Sequence, residues 1–221
     1  MEPQMSAYEV TERTRIRRIP ERGTYDRETV HKILDEAILC HVGVAIDGKP
    51  RVIPTAILRV DEFVYIHGSA NSQLLKSLIG GAPASIAVSF VDSLVASRSG
   101  FNCAVDYRSV VIFSDAAEEV TDPAEKERLL DAFVQHLIPG HKVRPPKRQE
   151  IGATKIARCP LLEVSAKIRD VGVNDFEEDY VLDLWAGRIP LRTVAGPPES
   201  CSRVKSGIDI PAYAANFERR K

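Results

Sequence analysis

The stretch YIHGSANSQLLKSL, residues 65–78, reads as a strand that ends in small polar residues and opens directly into a short helix. Such a junction aims several backbone N–H groups at one point, a ready site for a phosphate. Ser69 or Asn71 can cap the helix, Ser72 can add a hydroxyl and Lys76 a charge, and Gly68 has no side chain to hold a ligand off. A capping serine with no ligand accounts for the same residues. Upstream, Arg51, Ile53 and Thr55 alternate onto one face of another strand, and Pro54 withholds a ladder hydrogen bond from its middle. A proline there implies an edge or a bulge. Either leaves backbone groups free for a flat polar ring, with Arg51 available to neutralise a phosphate in bidentate fashion. The competing account is an edge strand protected by its proline and arginine.

Other chemistries lack their residues. There is no GxGxxG after a strand, no GxxxxGK[ST], no HExxH and no GxSxG, which argues against a Rossmann dehydrogenase, a nucleotide hydrolase, a zincin and an α/β-hydrolase. His136 and His141 flank a helix-ending Pro-Gly without a carboxylate at matching spacing, so no metal site is expected. Cys40, Cys103, Cys159 and Cys201 are widely spaced and read as reduced thiols. In the 221 residues, 30 lysines and arginines face 31 acids, a net charge of -1 that gives no reason to expect nucleic acid or a membrane as partner. The N-terminal MEPQMSAYEV has no apolar run, and no stretch approaches a membrane span, so a cytoplasmic location is the expectation.

The elements that would position these residues follow from periodicity. Residues 1–27 form an arginine-rich arm, lying on its own subunit, on a partner or in solvent, and 28–221 form one domain with a C-terminal extension. Asp26 precedes a helix with Val30, Ile33, Leu34 and Ala37 on one face. The runs LCHVGVAI and RVIPTAILRV flank Asp47-Gly48, a hairpin signal. EFVYIHG, ASIAVSFVD, SLVASRS, DYRSVVIFSDAAEEV and ARCPLLEVSAKIRDV read as further strands, with Tyr107, Ser109, Val111 and Phe113 sharing a face. Asp122-Pro123-Ala124-Glu125 opens a helix with Leu129, Leu130, Phe133, Val134 and Leu137 in the core, stopped by Pro139-Gly140. Strands with a few short helices between them predict an antiparallel barrel with helices outside.

Taken in order, residues 22–59, VYIHGSANSQLLKSL, DYRSVVIF, HLIPG, SAKIRDVG and LWAGRIPL resemble the flavin-nucleotide-binding proteins related to pyridoxamine 5′-phosphate oxidase, especially the subgroup of nitroimidazole-resistance proteins. That resemblance implies a mainly β, six-stranded antiparallel split barrel with short flanking helices. It also implies a homodimer holding flavin mononucleotide (FMN) in a groove at the subunit interface. By motif, Arg51, Val52, Ile53, Pro54 and Thr55 would run beside the flavin, while His67, Gly68 and Ser69 approach its phosphate side. Ser72 and Gln73 would sit at the helix entrance, Arg108 and Ser109 near the ring or ribityl chain, and Trp185 and Arg188 would reach the partner's site.

Two departures from the resemblance bear on the ligand. Phe101-Asn102-Cys103-Ala104-Val105-Asp106 replaces a run that in relatives often carries histidines, a serine and an asparagine, and Asp106 would repel a phosphate unless Arg108 or Arg98 offsets it. Gln73 stands where the oxidase proper has a basic residue, which weakens phosphate binding. The implied activity is flavin-dependent redox chemistry on an unidentified small molecule, the flavin doing the chemistry and the protein orienting it. His67 is then the candidate catalytic residue, protonating an intermediate or holding an anionic substrate; otherwise it is a hydrogen-bonded strand-end histidine. The alternatives are a non-catalytic flavin-binding module and a haem-binding split barrel with His41 or His67 as axial ligand.

Overall fold

A computed structural model describes residues 6–115 and 117–218. A two-residue strand β1 (Gly23–Thr24) precedes helix α1 (Arg27–Glu36), where the Asp26 carboxylate accepts the Thr29 N–H as N-cap and Val30, Ile33 and Leu34 are buried. Strands β2 (Leu39–Ile46) and β3 (Lys49–Ala56) form the expected hairpin. Asp47 and Gly48 both have positive φ, 51° and 70°, as a type I′ turn requires.

The run RVIPTAILRV is not one strand. At buried Ile57 the chain leaves β3, and β4 (Leu58–Val60) pairs with β5 (Phe63–Ser69) in a second sheet. After helix α2 (Gln73–Ile79), residues 84–92 and 93–99 do not form the pair of strands expected from sequence. They merge into one 13-residue strand, β6 (Ala84–Ala96), with a bulge between Val91 and Ser93, because β7 (Ala104–Ser114) pairs with both halves.

A short β8 (Glu118–Glu119) leads to α3 (Pro123–Leu137), whose N-terminus is capped by the Asp122 carboxylate, and then to α4 (Arg148–Gly152). ARCPLLEVSAKIRDV also divides: β9 (Thr154–Pro160) pairs with β5, and β10 (Glu163–Arg169) returns to pair with β7. Beyond it lie β11 (Gly187–Pro190) and α5 (Ala212–Ala215).

All strand pairings among the described residues are antiparallel. The first sheet runs β1-β10-β7-β6-β2-β3 with β11 also on β6, and the second runs β4-β5-β9-β8. The core between them takes Val42, Val44, Ile86 and Ile112 from one sheet, Val64 and Ile66 from the other, and Leu75 and Leu78 from α2. The opposite side of β5 is covered by α3, where Tyr65 meets Leu129 and Phe133. The described part of the N-terminal arm packs on its own barrel. Tyr8 is buried, Thr11 Oγ1 donates to Glu163 at 2.6 Å, and Lys167 Nζ donates to the Arg18 carbonyl at 2.7 Å. Among the described residues no helix is long and apolar enough to cross a membrane.

Candidate cofactor site

The register of the β2–β3 hairpin orients the RVIPT run. Arg51 lies opposite Val44, Ile53 opposite Val42 and Thr55 opposite Cys40, so these three share the inward face of the sheet, as their alternation predicts. Val52 and Pro54 turn outward, Val52 being 70% exposed. β3 ends its sheet, which explains how Pro54 is tolerated. Arg51 is exposed, and its side chain has no ion pair or hydrogen bond among the described residues. The helix cap nearby is Ser72, whose Oγ accepts the Leu75 N–H, while Ser69 Oγ accepts the Asn71 N–H at 3.2 Å within the preceding turn. Gln73 and Lys76 are exposed. Gly68 serves packing: a Cβ there would lie 3.3 Å from Leu75 Cδ1, so the missing side chain lets α2 close on β5.

His67 faces away from Arg51 and Thr55. It lies opposite Ile156 on the α3 side of β5, with its ring 4.2 Å from that of Phe133. Burial lowers its pKa below the usual histidine value, and its buried Nδ1 has no hydrogen-bond partner. A neutral, packed imidazole results.

The remaining residues tie the C-terminal extension to the barrel. Buried Asp106 accepts from Ser93 Oγ at 2.9 Å, and pairs with Arg169 and with Arg188 Nε, the latter at 2.9 Å. Burial alone would raise its carboxyl, but the Ser93 and Arg169 hydrogen bonds and the two guanidinium charges outweigh that and hold it below the usual carboxylate range. The offsetting arginines are thus Arg169 and Arg188. Arg98 instead pairs with Asp175, and Arg108 with Glu36 and Asp92, its guanidinium lying 5.0 Å from the Phe90 ring. Arg188 also reaches Asp170 at 2.8 Å. Trp185, 68% exposed, lies over Gly187, where a Cβ would come within 2.8 Å of its ring. Ser109 is half-buried on the outer sheet face, opposite Ser89, and donates to the Lys167 carbonyl. His136 and His141 go to separate partners, the Ala37 carbonyl and Tyr213 Oη.

A second feature opens on that outer face. β7 occupies one edge of β6 along nearly its whole length, so β2 and β11 must share the other edge. β2 leaves it after the His41–Ala87 pair, and β11 joins it at the Pro190–Ser93 pair, with the Leu191 N–H donating to the Asp92 carbonyl. The gap between them is a cleft of about 550 Å³, within the usual range for cofactor pockets. Its walls are Ala37, Ile38, Leu39, Phe90, Val91 and Leu191, with Ser89, His41, Arg192 and Thr193 as its polar groups. The His41 side chain is exposed and has no hydrogen-bond partner among the described residues. An imidazole without a hydrogen-bond partner, set between apolar walls, is the group that would hold the iron of a haem here. His67, packed against Phe133, lacks that access. The sequence marks His41 only as a histidine on a strand, because the cleft around it needs residues 191–193 brought back from the far end of the chain.

Two sheets exchanging strands at Ile57 and between β9 and β10, with helices outside, make this a split β-barrel. The chain belongs to the pyridoxamine 5′-phosphate oxidase family, whose sequence profile matches residues 26–168. Among solved structures it is similar to the flavocytochrome Anf3 from Azotobacter vinelandii, at 38% identity and a TM-score of 0.88 over 94% of this chain and 97% of that one. It is also similar to an FAD and haem binding protein from Mycobacterium smegmatis, at 32% identity and a TM-score of 0.82 over 87% and 95% of the two chains. A Bacteroides thetaiotaomicron protein assigned to 5-nitroimidazole antibiotic resistance shares the fold, at 20% identity and a TM-score of 0.56 over 66% and 86%. No curated protein sequence matches the chain.

Proposed function

We propose that this protein is a flavin- and haem-binding oxidoreductase that works as a homodimer, with the haem in the His41 cleft and the flavin beside Arg51. The observation that carries this reading is the origin of the cleft's walls. The family profile ends at residue 168, whereas Leu191, Arg192 and Thr193 line the cleft. The flavocytochrome and the FAD and haem binding protein match 94% and 87% of this chain, coverage reached only by extending past residue 168. The nitroimidazole-resistance relative matches 66%, which the profile's own span nearly accounts for. Similarity to the haem-binding relatives therefore takes in chain that builds the haem cleft here.

The donor set fits both groups. His41 offers an unengaged ring nitrogen, and Arg51 on a free strand edge offers a guanidinium for a phosphate. When bound, the flavin supplies two-electron and the haem one-electron chemistry, while the chain binds, orients and limits water. His41 and Pro54 are directly opposed in the β2–β3 ladder, so the two sites occupy neighbouring strands. The FAD of the 32% identical relative favours the dinucleotide over the FMN that the sequence resemblance implies. The substrate is a small molecule of unassigned structure, and His67, turned under α3, has no part in the proposed redox step.

The test is the visible spectrum of the purified protein, with chromatography of the released flavin to distinguish FMN from FAD. Flavin bands together with a Soret band are expected. His41→Ala should abolish or strongly shift the Soret band and leave the flavin, while Arg51→Ala should loosen the flavin and leave the haem. A protein that takes up added haem equally well with and without His41 would overturn the assignment.

A further inference from the structure

We propose that Arg192 is the carboxylate anchor of the His41 cleft, so that the C-terminal strap selects a macrocycle carrying free propionates. This inference rests on the haem reading above and deepens it.

Charge bookkeeping around the cleft singles out one group. Behind the Phe90 wall, Glu36 and Asp92 are both paired with Arg108, at 2.5 and 2.8 Å, and Asp35 is paired with Arg59 at 2.6 Å. Arg192 lines the cleft itself and has no ion pair or hydrogen bond among the described residues. The other lining residues, His41 aside, carry no ionisable side chain. A ligand that places a flat apolar body between Leu39, Val91 and Leu191 and a nitrogen-accepting metal on His41 therefore meets one unspent guanidinium. A planar fork of N–H donors matches a carboxylate in bidentate fashion, and in a cleft with apolar walls that pairing is only partly screened.

The backbone holds Arg192 in place. The Leu191 N–H donates to the Asp92 carbonyl at 2.9 Å, and Pro190 ends the β11–β6 ladder opposite Ser93. Ser93 in turn donates to Asp106, which also holds Arg188, two residues before Pro190. The anchor thus sits at the end of a strap stitched to the barrel by a buried ion cluster. Being exposed and unpaired itself, Arg192 can be changed without disturbing that stitching.

The experiment titrates the full-length protein, wild type and Arg192→Gln, with iron protoporphyrin IX and with its dimethyl ester, following the Soret band. Wild type is expected to bind the free acid about tenfold more tightly than the diester, the size of one good charge-assisted contact. Arg192→Gln should bind both equally, with an unchanged His41-dependent band and an unchanged melting temperature. A preference that persists in Arg192→Gln, or a wild type with His41-dependent binding and no preference, overturns the anchor and leaves the haem reading standing. A wild type with no His41-dependent band for either macrocycle overturns both.

Discussion

Asp106 illustrates how a residue's meaning depends on partners distant in sequence. Next to the YRSV motif it reads as a charge that would repel an anionic cofactor, yet it is buried, accepts from Ser93 and Arg169, and forms an ion pair with Arg188. Neither arginine is near it in sequence, so no local pattern signals the cluster. Asp106→Asn should leave Arg169 short of its counter-charge and cost about 3 kcal/mol, the usual order for breaking a buried pair, seen as a lower urea midpoint. Because the folded state depresses its pKa, the contribution is complete at neutral pH and is lost as pH falls through that depressed value. The acid limb of the stability profile should therefore flatten in Asp106→Asn. Arg51 is the opposite case: alternation alone puts it on the same face as Ile53 and Thr55, and the register agrees.

At the scale of elements, caps and turns were legible because their determinants are adjacent residues. Asp26 and Asp122 cap their helices, Asp47-Gly48 makes its turn, and α3 ends at Leu137 just before Pro139. Strand limits were less so, because an apolar run looks alike whether it stays in one sheet, as β6 does across its bulge, or changes sheets, as at Ile57. His67 belongs to the same lesson, since only the pairing of β5 with β9 and the cover of α3 decide its face. Burial lowers its pKa, so between that value and the unfolded one of about 6.5 the unfolded chain binds more protons. Stability is complete above about pH 6.5 and falls as the solution is acidified below it. Thermal melts of His67→Leu should match wild type near pH 8 and decline less between pH 6.5 and 5. A residual slope should remain from His31, whose pKa burial also lowers. An undiminished slope would mean that His67 is protonated in the fold at no cost.

For the whole molecule, the outer face of the first sheet carries the small residues Gly43, Ser85 and Ala87 beside exposed Val52 and the His41 cleft. A face of small residues with an exposed valine, beside the His41 cleft, fits a second copy of the chain. Sedimentation equilibrium should give twice the chain mass, and Val52→Glu, which places a charge on that face, should give a monomer that binds flavin more weakly. A wild-type monomer, or a Val52→Glu dimer with unchanged flavin content, would argue against the interface. The sequence by itself determined an antiparallel barrel with helices outside, the helix caps, the β2–β3 hairpin and the face of β3 that carries Arg51, because each follows from periodicity and near neighbours, while the split-barrel class came from the family resemblance. Only the tertiary structure decided that His67 packs under α3, that Asp106 is an internal counter-ion, and that His41 and Arg192 line one cleft. Those outcomes depend on contacts between distant segments, where the gap left between β2 and β11 on the same edge of β6 has no counterpart in any local run of residues.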